Sequence, residues 1–281
     1  MNQLNINLDR AAEAIHAASG LLITAGAGIG VDSGLPDFRG NTGFWQAYPA
    51  LGRERIEFTD IANPQAFHTA PHLAWGFYGH RLNLYRQTAP HAGFAILKQL
   101  SEKMAQGAFV FTSNVDGQFQ KAGFSCAQIC ECHGSIHHLQ CLNSCTPAIW
   151  SADGFNPEID TANCLLGSPL PTCPRCAGLA RPNILMFNDA YWQSEMTDRQ
   201  YDNLSQWLST VTQLVTIELG AGTAIPSVRN LGLRQNGLVI RINPRESGIP
   251  ANEGMPIPLG ALEGLQRLAV RLQGSRGRQT T

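Results

Sequence analysis

Residues 20–30, GLLITAGAGIG, decide the fold. Leu21 to Thr24 is a short apolar run that reads as a buried strand, and it runs directly into Gly26-Ala27-Gly28. Glycines at the end of a strand let the backbone turn tightly and approach a phosphate, with amide donors aimed at the anion. As a dinucleotide fingerprint the loop is imperfect. G-x-G-x-x-G needs glycine where Val31 stands, and no suitable acidic residue follows about 20 positions on. Taken alone the loop is equally compatible with a plain structural turn. The residues after it, Asp32 to Gly40, read DSGLPDFRG. That density of polar and glycine residues is costly in a core and unusual in a mere connector.

Working outward, the same rhythm recurs. Before the strand, Leu8, Ala11, Ala12, Ile15 and Ala18 repeat at helix spacing, and Gly20 stops the pattern. Ala108 to Thr112, Thr212 to Leu219 and Gly237 to Ile242 are further strand candidates, and Ala92 to Met104 and Glu195 to Thr210 are helices between them. Strands alternating with helices predict an α/β fold, a Rossmann-like parallel sheet with helices on both faces. Ligands of such sheets bind beyond the carboxyl ends of the strands, where the glycine and asparagine turns sit here. Two segments break the rhythm. Thr42 to Pro90 is rich in aromatics and is expected to be mainly helical in its second half. Ile136 to Leu179 carries Pro, Cys, Asn and Gly. The expected division is a Rossmann-like domain from residues 1–41, 91–135 and 180–281, and a small domain, a helical module and zinc ribbon, from 42–90 and 136–179. The polar tail from Gly274 to Thr281 is expected to fray.

Bulk properties narrow the function. A chain of 281 residues with 43% hydrophobic and 15% charged residues can bury a substantial core. A net charge of -1 offers no basic surplus for nucleic acid, so no direct nucleic-acid partner is expected. Met1 to Arg10 shows no signal-peptide pattern, and no apolar run approaches the roughly 20 residues of a membrane helix. A soluble cytoplasmic protein, not bound to membranes, is the default expectation.

The eight cysteines all fall mid-chain, between Cys126 and Cys176, a distribution that suits a metal site better than secreted disulfides. Cys141-x3-Cys145 and Cys173-x2-Cys176 form two close pairs, able to give four thiolates to one tetrahedral Zn²⁺. Four thiolates leave no open position, so the metal would be structural. Cys164 lies between the pairs and competes as a ligand, and free buried thiols are the remaining alternative. Cys126, Cys130 and Cys132 alternate at even spacing and suit one face of a short strand.

Several motifs now resemble one family in its order. GAGIGVDSGLPDFRG (residues 26–40) is similar to the sirtuin GAGxSxxSGIPDFRG, and TSNVDGQFQKAG (112–123) to TQNVDxLHxxAG. ECHG (131–134) resembles the E-x-H-G that presents the sirtuin catalytic histidine. PRCAGLARPNILMFND (174–189) resembles P-x-C-x-G-x-L-R-P-x-V-V-x-F-G-E, Gly220 to Pro226 the later glycine loop, and Ile242-Asn243 the late I-N pair. The chain resembles a divergent bacterial-type sirtuin, an NAD-dependent protein lysine deacylase.

That resemblance implies roles. Gly26, Ala27 and Gly28 would contact the pyrophosphate of NAD. Asp37, Phe38 and Arg39 would line the nicotinamide-ribose site, on a loop that orders with the cofactor. Ser113 would lie beside that ribose, and Asn114 and Asp116 would hold the ribose and the nicotinamide amide. Gly220, Gly222 and Asn243 would face the adenosine half, and Ile184 and Phe187 would line the acyl-lysine tunnel. His133 would be the base that deprotonates a ribose hydroxyl, a task suited to a side chain of unperturbed pKa ~6.5. The products would be lysine, nicotinamide and O-acyl-ADP-ribose, with an acylated lysine of a protein as partner and NAD as co-substrate. His137 and His138 are expected to be structural.

The departures matter too. Ser113 stands where the family has glutamine, Gly30 and Gly222 replace serines, Gln118-Phe119 replaces Leu-His, and Asn188-Asp189 replaces Gly-Glu. VDGQFQKAGF is similar to sirtuins that transfer ADP-ribose to proteins, but those lack the histidine this chain keeps. ADP-ribosyl transfer, NAD hydrolysis and a non-catalytic NAD-sensing or zinc-ribbon interaction module remain the alternatives. Phe77-Tyr78-Gly79-His80-Arg81 is similar to the F-Y-x-x-R element of sirtuins that accept acidic acyl groups, and i, i+3 spacing puts Tyr78 and Arg81 on one helix face. A guanidinium and a phenol there would meet the carboxylate of a succinyl or malonyl chain. The bland alternative is a solvated amphipathic helix.

Overall fold

The computed structural model describes residues 2–37 and 40–274. Phe38 and Arg39 therefore lie outside the described residues, as do Met1 and the tail beyond Gly274. The strands are β1 (Gly20–Ala25), β2 (Ala108–Thr112), β3 (Ile129–Glu131), β4 (Gly134–Cys141), β5 (Ile149–Ser151), β6 (Ile159–Asp160), β7 (Leu165–Leu166), β8 (Ala180–Ile184), β9 (Leu214–Leu219), β10 (Gly237–Ile242) and β11 (Gly254–Ile257). Six of them form one sheet in the order β11-β10-β9-β1-β2-β3, and every pairing in it is parallel. This is the doubly wound order, and its direction reverses between β1 and β9, where such folds bind ligands.

β1 is buried along its whole length because both faces of the sheet are covered. Leu21 and Ile23 point into a core closed by Leu8, Ala11 and Ile15 of helix Gln3–Ala17, Phe94 and Leu97 of helix Ala92–Ser101, and Leu265 and Leu268 of helix Ala261–Gly274. Leu22 points the other way, into a core with Phe109, Phe111, Leu204 and Val228. The period-two alternation of one strand thus builds both layers. The expected strand and helix positions agree with these elements to within a few residues. The strand expected from Thr212 begins at Leu214, because Gln213 and Thr212 are hydrogen-bonded to Ser19 instead.

A third core gathers Phe44, Phe67, Trp75, Phe77, Tyr78, Leu82, Leu139, Leu166 and Ile184. β4 pairs antiparallel with both β5 and β8. The stretch after residue 42 was expected to be helical mainly in its second half, and this is corrected: short helices Pro49–Arg53, Phe58–Ile61 and Pro64–Thr69 precede the long helix Pro71–Gln87. Each is too short to show a 3.6-residue period. Local caps set them instead, such as the reciprocal Glu57/Asp60 box and Asn63 accepting from the Gln65 amide.

At the reversal point the two glycine loops touch back to back. The Gly28 amide donates to the Gly220 carbonyl at 3.1 Å. A Cβ on Gly28 would come 2.7 Å from the Gly220 Cα, and one on Gly220 would come 2.4 Å from the Gly28 carbonyl carbon. Gly220 also has φ +60, a left-handed conformation costly for other residues. Gly220→Ala is expected to cost about 2–4 kcal/mol of stability, from left-handed backbone plus overpacking. Urea denaturation checks it, and an unchanged midpoint would show that the loops can part without loss.

Candidate active site

The loop after β2 is tied to the loop after β1 by main chain and side chain. The Ser113 amide donates to the Ala25 carbonyl at 3.1 Å, and Thr112 Oγ1 donates to the same carbonyl at 2.9 Å while accepting from the Asn114 amide. Asn114 Nδ2 donates to the Gly26 carbonyl at 3.2 Å. Asp116 is buried, and its Oδ1 accepts from the Gln118 amide at 2.9 Å. The Asp116 carbonyl pairs with His137 Nε2 at 3.0 Å, so His137 is a brace for this loop, in line with the structural role expected of it. Burial pushes the Asp116 carboxyl up to about 6, against the opposing pull of the Gln118 amide and the Arg81 guanidinium.

His133 sits at the junction of the two sheets, between the end of β3 and the start of β4. Gly134 makes that junction possible. It has φ +75, and a Cβ there would lie 2.1 Å from the Asn183 carbonyl oxygen on β8. The His133 carbonyl accepts from the Leu185 amide at 3.0 Å. Burial lowers the pKa of the ring below the ordinary histidine value, and a hydrogen bond with the Ser113 backbone works against the shift. The imidazole is therefore neutral near pH 7, the form able to take a proton. Glu131, two residues earlier, is buried and bonded to the side chains of Gln120, Ser135 and Gln200, and burial pushes its carboxyl up to about 7.

Beyond β1, β9 and β10 lies a crevice lined by Gly28, Asp37, Gly220, Asn243 and Arg245. Asn243 is buried, donates to the Ala221 carbonyl at 3.0 Å, and accepts from the amides of Arg245 and Glu246. It holds the second glycine loop in shape. Ala27 is exposed at the start of the turn, and Gly222 lies beside the Glu246 carboxylate. Two lining residues carry no sequence signal for this role: Arg245, which ion-pairs with Asp37 at 3.0 Å, and Asp32, whose carboxylate accepts from the Leu262 amide at 2.8 Å.

A run of aromatic contacts lies on another side. Phe187 packs edge-on against Phe58, and Phe58 against Phe77. The Arg81 guanidinium then lies 5.2 Å from the Phe77 ring centre, 5.8 Å from that of Tyr78 and 5.3 Å from that of Tyr85. Its Nε and Nη2 both donate to the Tyr85 hydroxyl, at 2.9 and 2.7 Å. Tyr78 and Arg81 are buried, which excludes a solvated helix face, and Tyr78 stacks on Phe67. Tyr85 was missed in the sequence, although i, i+4 spacing from Arg81 could have flagged it. Ile184, at the end of β8, belongs to the same core.

The four thiols of Cys141, Cys145, Cys173 and Cys176 lie within 4.8 Å of one another. Two of the sulfur pairs, Cys141–Cys176 and Cys145–Cys173, are 3.7 and 3.6 Å apart. Four bonds of about 2.3 Å to one tetrahedral zinc would set sulfurs about 3.8 Å apart, so the group fits the ion. Cys164 is buried in the aromatic core, outside this cluster, so its competing claim as ligand is corrected. Of the other three, only Cys130 lies within β3: Cys132 follows the strand and Cys126 stands exposed in the turn before it.

Residues 26–217 match the Sir2 family. The chain belongs to the Sir2 family. It is 32% identical over 238 residues to an NAD-dependent protein deacylase of Pyrococcus furiosus, covering 84% of this chain and 86% of the relative. It is 28% identical to another from Aquifex aeolicus, over 92% and 98% of the two chains. A solved complex of a Sir2 homologue with NAD shares the fold at TM-score 0.73 and 24% identity, over 95% of this chain and 94% of that one. Within the Sir2 frame one departure is explained by the structure. Asn188, in place of glycine, adopts φ +54, which asparagine tolerates. Asp189, in place of glutamate, keeps an acid that pairs with Arg181, both side chains wholly buried, at 2.8 Å.

The site generates two expectations. Cys176→Ser should lower bound zinc below the roughly one ion per chain of the wild type and lower the melting temperature, since a structural site contributes folding free energy. An equally stable, zinc-free protein would remove the metal. Second, because burial lowers the His133 pKa, activity should persist below the usual histidine value of ~6.5 and fall off only as the ring protonates at lower pH. A kcat/KM profile whose acid limb has its midpoint above that value would contradict this.

Proposed function

We propose that this Sir2-family chain is an NAD-dependent protein lysine deacylase in which His133 is the base. NAD supplies the electrophilic ribose carbon, and nicotinamide leaves as acyl transfer begins. The chain's own residues then have distinct tasks. Gly26, Ala27, Gly28, Gly220, Gly222 and Asn243 shape the dinucleotide crevice, Asp37 lines it, the family motif gives the neighbouring Phe38 and Arg39 a part in the nicotinamide-ribose site, and Ser113, Asn114 and Asp116 orient the reacting ribose. His133 takes the proton of a ribose hydroxyl, and Ile184 and Phe187 line the passage for the acylated lysine. Cys141, Cys145, Cys173 and Cys176 hold a structural zinc in a small domain of residues 42–90 and 136–179, apart from the Rossmann-like remainder. The observation that carries this reading is the half-buried His133 imidazole beside the Ser113 backbone, its pKa lowered by burial, on the same strand ends as both glycine loops. No described helix is long and apolar enough to cross a membrane, which is compatible with a cytoplasmic enzyme.

His133→Ala should keep NAD binding and the fold while lowering deacylation by about 10²- to 10⁴-fold, the usual contribution of a general base. Mass analysis of products from NAD and acyl-lysine peptides separates this from ADP-ribosyl transfer to protein or plain hydrolysis, since only deacylation yields O-acyl-ADP-ribose. Near-wild-type turnover by a folded variant would sink the assignment.

The buried Arg81 favours acidic acyl chains as substrates. A succinyl or malonyl carboxylate entering an aromatic passage loses hydration and needs a cation, and a guanidinium ringed by Phe77, Tyr78 and Tyr85 answers that need. Arg81→Met, close in volume, should lower kcat/KM for succinyl-lysine by about tenfold or more while sparing acetyl-lysine, as expected for a lost charged hydrogen bond. If wild type strongly prefers acetyl-lysine and the variant does not shift the ratio, the acidic-acyl preference is wrong.

A further inference from the structure

The first glycine loop runs into a 3₁₀ helix, Ala27–Ser33, seven residues long. Helices of this kind rarely exceed about four residues, because their hydrogen bonds are poorly aligned. This one therefore depends on contacts from outside it. Three of its residues, Gly28, Val31 and Asp32, line the crevice. Its start is held by the Gly220 carbonyl. Its middle and its end both meet His91, across 62 and 58 residues of chain: His91 Nε2 lies 2.9 Å from the Ile29 carbonyl oxygen, and the His91 amide donates to Ser33 Oγ at 3.0 Å.

The ring of His91 has a second task. It caps helix Ala92–Ser101, with Nδ1 accepting from the Gly93 amide at 3.0 Å. A hydrogen bond accepted at Nδ1 puts the ring proton on Nε2, so Nε2 is the donor to the Ile29 carbonyl. Gly93 leaves room for this ring, since a Cβ there would come 2.5 Å from His91 Cε1 and 2.8 Å from Nδ1. Phe94 packs edge-on against it, with ring centres 5.0 Å apart. Capping alone does not call for histidine, because asparagine or serine caps a helix as well. Those side chains end at the position of Nδ1. Imidazole reaches one atom further, and here that atom meets the wall of the crevice.

We propose that His91 is a positioning residue for dinucleotide binding, which fixes the 3₁₀ helix of the crevice wall against helix Ala92–Ser101. It acts through the Ile29 carbonyl and the Ser33 hydroxyl, away from the reacting atoms. Support of this kind is the same before and during the reaction, so it enters the KM for NAD and not kcat. This proposal rests on the reading of the crevice as the NAD site.

Two variants of the full chain disturb the contact in different ways. His91→Asn keeps the cap and loses the reach to Ile29. Gly93→Ala keeps His91 and drives a methyl into its ring, although alanine is the better helix former. At saturating acyl-lysine peptide, each should raise the KM for NAD about three- to tenfold, the worth of one neutral hydrogen bond, with kcat and the KM for peptide unchanged. The double variant should be no worse than the weaker single one, because both act through one contact. The melting temperature of His91→Asn should stay at the wild-type value, and if either variant fails to fold the other decides. An unchanged KM for NAD in a folded variant, or an equal rise in the KM for peptide, overturns the role of His91. Calorimetric titration with ADP-ribose tests the underlying reading separately. Binding by wild type that is equally tight in His91→Asn overturns the positioning role alone, and a wild-type chain that binds no ADP-ribose overturns the crevice assignment with it.

Discussion

The contact on which the molecule depends is the one between Gly28 and Gly220. Parallel strands leave β1 and β9 side by side, but their following connections run to opposite faces of the sheet. The two loops must separate there, and each must first turn without a side chain, because any Cβ would enter the other's backbone. The Gly28 and Gly220 amides are spent on holding this contact, to the Gly220 and Ile242 carbonyls, so the backbone of the two loops meets at the crevice with no side chain between. Asn114 reaches the Gly26 carbonyl from one side and Asn243 the Ala221 carbonyl from the other, so two asparagines keep the loops in place.

A second constraint sets the place of His133. His133 stands where the chain leaves the parallel sheet for the antiparallel one, and Gly134 alone leaves room for the Asn183 carbonyl. Because the histidine belongs to this junction, its backbone is held by β8 through Leu185 and its ring is partly withdrawn from water. Geometry and pKa thus have one cause. The same junction brings Asp116 near Arg81, and His137 from β4 back onto the Asp116 carbonyl, so the loop after β2 and the aromatic core share supports.

The departures from the family pattern divide in two. Asn188 and Asp189 stand in place of glycine and glutamate, one in a left-handed turn that asparagine tolerates and the other as a buried acid paired with Arg181. Gly30 and Gly222 remove hydroxyls, and at Gly30 an added Cβ would press on Leu35 at 3.2 Å. There the crevice has no side-chain hydroxyl from either position.

The sequence by itself determined the parallel α/β sheet, both glycine loops, the motif around His133 and the paired cysteines. These signals are local: a strand reads as a short apolar run, a tight turn needs glycine, and metal ligands come in close pairs. Tertiary structure decided what depends on the surroundings of a face or on residues far apart. Whether the Tyr78–Arg81 face meets water or core cannot be read from helix spacing, and Tyr85 became the partner of Arg81 only because that face is buried. Cys164 was parted from the zinc ligands by packing into the aromatic core, although chain order placed it between them. The pairing of Arg245 with Asp37 joins the two halves of the crevice over 208 residues, a contact that exists only after β1 and β10 have been brought to the same edge of the fold.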